Sequence, residues 1–312
     1  MQFSVYQESR IGGRKVNQDR MGYIYTRDSL LLVMADGMGG HVRGEMAAAI
    51  TIQTIANLFQ KSADPYVKRP EVFLEDSFIA AHREIQRYAD LYKLPETPRT
   101  TVVACLIQHN SAVWAHCGDS RLYWMRNGQI LARTQDHSRV ATLIAQGMLD
   151  PAHTENHPDR NKLFNCLGSS NMPIVEISRR ASLQSGDTML LCTDGLWSIM
   201  PDHILAKQIS DTTIMRAIPE LLDKSTSIAG RNGDNATALA VTWLSEEGSS
   251  REAPIEEATT TTNTNTLQIG AVTSMLVTQT SSGDKSDVFN ESEIEKAIDE
   301  IRSAIQQANN TQ

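Results

Sequence analysis

Leu30-Leu31-Leu32-Val33-Met34-Ala35-Asp36-Gly37-Met38-Gly39-Gly40 is an apolar run that stops at a carboxylate and a group of glycines. Residues 30–35 read as a strand that ends abruptly at Asp36-Gly37. The same arrangement recurs in Cys117-Gly118-Asp119-Ser120-Arg121, in Cys192-Thr193-Asp194-Gly195-Leu196-Trp197 and in Asn232-Gly233-Asp234-Asn235-Ala236-Thr237. One Asp-Gly pair beside a strand is an ordinary turn, because both residues favour turns for local reasons. Four such places, each flanking an apolar strand, point to a single site.

A fifth acid, Asp19, stands in Arg14-Lys15-Val16-Asn17-Gln18-Asp19. Carboxylates gathered at strand ends form an oxygen-rich site for hard divalent cations such as Mg²⁺ or Mn²⁺. Asp36, Asp194 and Asp234 are the strongest ligand candidates. Gly37 and Gly195 let the backbone approach an ion closely, and the Gly37 carbonyl is a ligand candidate in its own right. The pattern reads as a metal-dependent hydrolase.

Outward from that stretch, strands are expected at residues 3–7, 22–26, 101–109, 111–117, 121–126, 175–181, 188–193 and 236–243. Asn127-Gly128 is a hairpin turn. Helical periodicity covers residues 44–59, 71–92, 136–147, 202–210 and 212–228, and Pro95 and Pro98 break the chain after the second of these. Strands and helices come in groups rather than in strict alternation, which predicts an α+β fold of antiparallel sheets.

The chain has 312 residues and a formal net charge of −8. Residues 245–312 hold 12 acids and 4 bases, whereas residues 1–244 hold 25 of each. A neutral body lacks the basic face that nucleic-acid binding needs. No apolar run approaches the roughly 20 residues of a membrane span, and the N-terminus lacks a signal-peptide pattern. The cysteines Cys105, Cys117, Cys166 and Cys192 form no C-x-x-C pair, which fits a reduced, cytoplasmic setting. The body is therefore expected at residues 1–244. Residues 245–289, rich in Glu, Ser and Thr, read as a flexible linker. Residues 290–309 read as an amphipathic helix, with Ser292-x-x-Glu295 as a capping box and Ile294, Ile298, Ile301 and Ile305 as a narrow apolar stripe suited to a partner or to self-association.

Arg14-x-x-Asn17-Gln18-Asp19, Asp36-Gly37-Met38-Gly39-Gly40, Thr100-Thr101, Gly118-Asp119-Ser120-Arg121, Asp194-Gly195-Leu196-Trp197 and Gly233-Asp234-Asn235-Ala236-Thr237 occur in one order. Together they resemble the bacterial branch of the metal-dependent Ser/Thr protein phosphatases, type 2C, over residues 3–243. Each motif is short, but the ordered set is specific. The resemblance implies a four-layer α-β-β-α sandwich of two antiparallel sheets flanked by helices. It also implies two Mn²⁺ or Mg²⁺ ions bridged by Asp36, with Gly37, Asp194 and Asp234 as further ligands. Asp19 would serve the second ion, and Asp119 with Asp194 a weaker third. A water acidified between the cations would attack phosphoserine or phosphothreonine without a phosphoenzyme.

Arg14 would clamp the phosphate, since a guanidinium matches two phosphate oxygens. His41 is the candidate general acid. Residues 136–170 match a mobile flap in which His157 is a substrate contact. The chain departs from the family pattern at three points. Met38 stands where some members have a His, Gln18 where many carry an acid, and Arg99 where a Gly is usual. Phosphorylated proteins and a cognate Ser/Thr kinase are the expected partners. The alternatives are a pseudophosphatase that binds phosphoproteins without turnover, and a phosphohydrolase of a small phosphorylated molecule.

Overall fold

Apolar runs separated by tight turns pair into two antiparallel sheets in the computed structural model. It describes residues 1–38, 43–150, 153–154, 157–245, 267–269 and 272–277. The first sheet takes Gln2–Arg10 (β1), Ala236–Ser245 (β12), Thr188–Cys192 (β11), Arg121–Arg126 (β7) and Gln129–Arg133 (β8), in that spatial order. The second runs from Ala181–Ser182 (β10) through Ser111–Cys117 (β6), Val102–Gln108 (β5) and Ser29–Met38 (β3) to Asp19–Tyr25 (β2). Val272–Val277 (β14) and Leu267–Ile269 (β13) continue it beyond β2. Two short strands sit off this path: Arg99–Thr100 (β4) pairs with β3, and Glu176–Ile177 (β9) with β6.

Strand periodicity explains the layers. Leu30, Leu32 and Met34 of β3 point into a core shared with Val103, Cys105, Leu122, Leu191, Leu239 and Trp243, which fills the space between the sheets. The alternate residues Leu31, Val33 and Ala35 are equally buried. They face the side on which Gly44–Ser62 (α1) packs, itself packed on Pro70–Leu91 (α2). On the outer face of the first sheet, Tyr123, Leu190, Ala238 and Ala240 meet Leu205, Ile218, Leu221 and Leu222. Those four come from Asp202–Asp211 (α5) and Ile214–Ala229 (α6). Each buried Leu contributes on the order of 2 kcal/mol. The result is the expected four-layer α-β-β-α sandwich.

Several boundaries differ from the sequence reading, each for a local reason. Strand β3 does not stop at Ala35. It continues to Met38 because Gly37 and Met38 pair with Thr100 and Arg99. Strand β2 begins at Asp19 rather than Gly22, which places that acid inside a ladder. The helix expected over 136–147 is confined to Arg139–Ala145 (α3), started by Ser138 Oγ accepting from Ala141 N at 3.2 Å. Residues 175–181 contribute only the short β9 and β10. Two strands fall within 245–289, where none was anticipated. The helix expected at 290–309 lies outside the described residues. All four cysteines are buried and free. Among the described residues no helix is long and apolar enough to cross a membrane.

Candidate metal centre

The register of β2 and β3 sets Asp19 directly opposite Asp36. Like charges at facing positions of a ladder are destabilising, so the pairing calls for a neutralising cation. Asp194 enters from the other sheet as the first residue of a four-residue helix, Asp194–Trp197 (α4), just after β11. Asp234 lies just before β12, and Asp119 lies in the turn between β6 and β7.

These carboxylates act on one another. Burial first, and then Asp19, Asp194, Asp119 and Asp234, hold the Asp36 carboxyl well above its usual range. Asp194 is raised in the same way by burial and then by Asp119, Asp234 and Asp19, with Arg14 pulling the other way. Burial also leads in pushing Asp19 up to about 6 and Asp119 up to about 7. Four buried acids held above their usual range, with the Asp234 carboxylate beside them, make a site built for a partner of opposite charge.

Hydrogen bonds do not supply that partner. Asp19 Oδ2 accepts from Thr193 Oγ1 at 2.9 Å and from Thr237 Oγ1 at 2.6 Å. Asp19 Oδ1 and Asp194 Oδ1 are buried with no hydrogen-bond partner. An unsatisfied buried acceptor costs about 1–3 kcal/mol, and more when charged. An oxygen-seeking divalent cation fits both orphaned atoms.

Backbone contacts fix Asp36 and Gly37 in place. The Asp36 carbonyl accepts from Thr101 N and from Thr100 Oγ1, each at 2.8 Å, and Asp36 N donates to Thr101 Oγ1 at 3.2 Å. Gly37 N donates to Gln18 O at 3.1 Å. A Cβ at position 37 would run into the Gly44 carbonyl, so only glycine lets α1 start so near the site. Gln18 Nε2 in turn donates to Glu45 Oε2 at 3.3 Å. An acid therefore does stand beside position 18, contributed by α1.

Arg14 reaches the cluster because its loop nests on the loop before β12. Gly13 N donates to Gly233 O at 3.0 Å, and Gly12 adopts φ 62, where a Cβ would strike the Asp234 carbonyl. Buried Asn235 fastens the two loops. Its Oδ1 accepts from Gln18 N at 2.8 Å, and its Nδ2 donates to Ile11 O at 2.8 Å and Val16 O at 3.2 Å. Arg14 Nη2 donates to Asp234 Oδ2 at 2.6 Å. Replacing Asn235 by Ala leaves these backbone groups without partners and is expected to cost about 2–3 kcal/mol. Urea unfolding measures this; an unchanged midpoint would show that the loops do not depend on Asn235.

Arg14, Asp19, Asp36, Gly37, Asp119, Asp194 and Asp234 thus belong to one neighbourhood. His41 lies outside the described residues. His157 is occupied locally, its Nδ1 accepting from Asp159 N at 3.1 Å, and no described contact ties it to the carboxylates. Thr193, Thr237, Asn235 and Glu45 are site residues that the sequence reading did not single out. Three of them sit inside the quoted motifs, yet their partners lie across the sandwich, which no spacing reveals.

Among the described residues, the one group of His, Cys and acid side chains whose ligand atoms all lie within 4.8 Å of one another is not this cluster but His116, His137 and Glu176. Its hydrogen bonds argue against a metal. Gly118 N donates to His137 Nδ1 at 3.2 Å, so the ring proton sits on Nε2, which faces Glu176 Oε2 at 3.3 Å. A protonated ring nitrogen has no lone pair for an ion.

Residues 6–245 match the protein phosphatase 2C family. A serine/threonine phosphatase, stp, of Listeria innocua is 29% identical over 231 residues, which are 73% of this chain and 90% of that protein. The crystal structure of Stp1 from Staphylococcus aureus superposes with TM-score 0.71 at 25% identity, covering 78% of this chain and 96% of that one. The catalytic domain of the phosphatase PstP, solved with two manganese ions, superposes with TM-score 0.65 at 26% identity, covering 78% and 99%. The chain belongs to the protein phosphatase 2C family, in its bacterial branch of serine/threonine phosphatases.

Proposed function

We propose that the chain removes phosphate from phosphoserine and phosphothreonine side chains of proteins at this carboxylate centre. The observation that carries the reading is Asp19 facing Asp36 in register, with orphaned oxygens on Asp19 and Asp194. Asp36, the Gly37 carbonyl, Asp194, Asp234 and Asp19 would hold two Mn²⁺ or Mg²⁺ ions, and Asp119 with Asp194 a weaker third. Such ions supply Lewis-acid charge for the phosphate oxygens and lower the pKa of a water.

The protein's own groups do the rest. Arg14 stays anchored through Asp234 while its side chain is 56% exposed, which leaves donors for a phosphate. Thr193 and Thr237 hold Asp19 Oδ2 and so direct its other oxygen. His41 is the proposed donor of a proton to the leaving Ser or Thr oxygen. No thiol takes part as nucleophile: burial pushes Cys105, Cys117 and Cys192 well above the ordinary thiol range. Reduced, buried cysteines also fit a cytoplasmic site of action in phosphorylation signalling, opposite a Ser/Thr kinase. Residues 245–289, which include the β13–β14 pair on the edge of β2, would carry a docking helix at 290–309.

The test is hydrolysis of a phosphothreonine peptide with Mn²⁺, with Mg²⁺ and with EDTA, by the full chain and by a chain ending at Leu244. The expected result is metal-dependent turnover, abolished by EDTA and kept by the shorter chain. Absence of turnover with peptide binding retained would instead support a phosphoprotein-binding role. Loss of turnover in the shorter chain alone would refute the tail as a mere carrier of that helix.

A further inference from the structure

Arg121 stands two residues beyond Asp119 and touches three segments at once. Its Nε donates to Asp136 Oδ1 at 2.8 Å and its Nη2 to Asp136 Oδ2 at 2.7 Å, a two-pronged pair in which each side chain is only 11% exposed. Its Nη1 donates to Tyr123 Oη at 3.1 Å, and that hydroxyl donates to Asp202 Oδ1 of α5 at 3.0 Å. The guanidinium carbon lies 3.6 Å from the centre of the Trp197 ring, at the far end of the short helix that Asp194 begins. Asp136 leads into His137, whose N donates to Gly118 O at 2.9 Å while Gly118 N donates back to His137 Nδ1. A closed circuit therefore runs from Asp119 through Arg121, Asp136 and His137 to Gly118, with the indole stack joining it to the Asp194 helix. Trp197 Nε1 is buried without a hydrogen-bond partner, so the flat face under the guanidinium is what the indole contributes.

Resting on the phosphatase reading above, we propose that Arg121 is a positioning residue: its clamp on Asp136 and Trp197 fixes Asp119 relative to Asp194 and thereby sets the affinity of the centre for divalent ions. The substitution Arg121→Lys would keep the charge but lose both the fork and the stack. Groups that orient metal ligands from outside typically change metal affinity 10–100-fold when altered.

The experiment is Mn²⁺ titration calorimetry on the chelator-treated full chain, with kcat and KM for a phosphothreonine peptide at saturating Mn²⁺ and a melting curve in EDTA. Arg121→Lys is expected to bind Mn²⁺ about 10-fold more weakly, with kcat largely recovered at high Mn²⁺ and KM for peptide unchanged. Trp197→Ala is expected to weaken Mn²⁺ binding in the same direction, and Trp197→Phe to rescue that loss by restoring a flat ring. Should Arg121→Lys fail to fold, Asp136→Asn carries the same expectation. A lowered melting point with Mn²⁺ affinity unchanged would make Arg121 purely structural and overturn the proposal. A wild-type chain that binds no Mn²⁺ would overturn the phosphatase reading together with this one. Wild-type binding and turnover with no shift in the variants would overturn this one alone.

Discussion

Asp36→Asn is expected to abolish turnover of a phosphothreonine peptide, by at least about 10²–10³-fold in kcat, the scale of losing one preorganised electrostatic contact in an active site. Asp36 faces Asp19 across the ladder and is raised first by burial and then by four neighbouring acids. High Mn²⁺ should not rescue the variant, in contrast to Arg121→Lys, because a carboxylate proposed to hold the ions would itself be lost. The same substitution removes a repelling charge, so in EDTA the variant should melt at a higher temperature than wild type. Activity within a few-fold of wild type, or a lower melting temperature in EDTA, would remove Asp36 from the centre of the site.

The second large effect is on stability. Asp19 and Asp119 sit at about 6 and about 7 in the folded chain, against about 3.9 for an unfolded Asp. A raised folded pKa means that the native state binds the proton more tightly. The corresponding stability is fully present below about pH 4 and is lost as pH rises through about 6 to 7. Asp36 and Asp194 are shifted in the same direction. Asp187, paired with Arg126, and Glu71, paired with Arg180, are shifted downward, so their contributions change below this window. In EDTA the melting temperature should therefore fall between about pH 5 and 7. Mn²⁺ added at pH 7 should restore it, because the ion replaces the protons as countercharge. Calorimetric melts across that range decide the matter, and a melting temperature that climbs toward pH 7 in EDTA would contradict it.

Much of this was legible in the sequence because the acids sit where apolar strands meet glycine turns, and β3, β5, β6 and β12 are long apolar runs. The grouping of elements was enough for antiparallel sheets. What remained hidden is tertiary. Asp19 looked like a loop acid beside Asn17, yet it begins β2, and its partner Asp36 is known only once the register is known. Thr193 and Thr237 bond to an acid far away in the chain, so their hydroxyls carry no local signal. Residues 136–147 looked helical throughout. Asp136 and His137 are instead held by Arg121 and Gly118, which outcompete helix formation until Ser138 caps it.

The two sheets contribute to the centre separately: β2 and β3 bring Asp19 and Asp36, while β11 and β12 deliver Thr193, Asp194, Asp234 and Thr237. In the protein alone, the hydroxyls of Thr193 and Thr237 on the Asp19 carboxylate are polar stitches across that seam. Ions held jointly by Asp36 and Asp194 would act as a rivet against shear of one sheet over the other. Amide exchange should then slow in both sheets together when the ion binds, and the mechanical strength of the sandwich would rise and fall with the cell's supply of divalent metal.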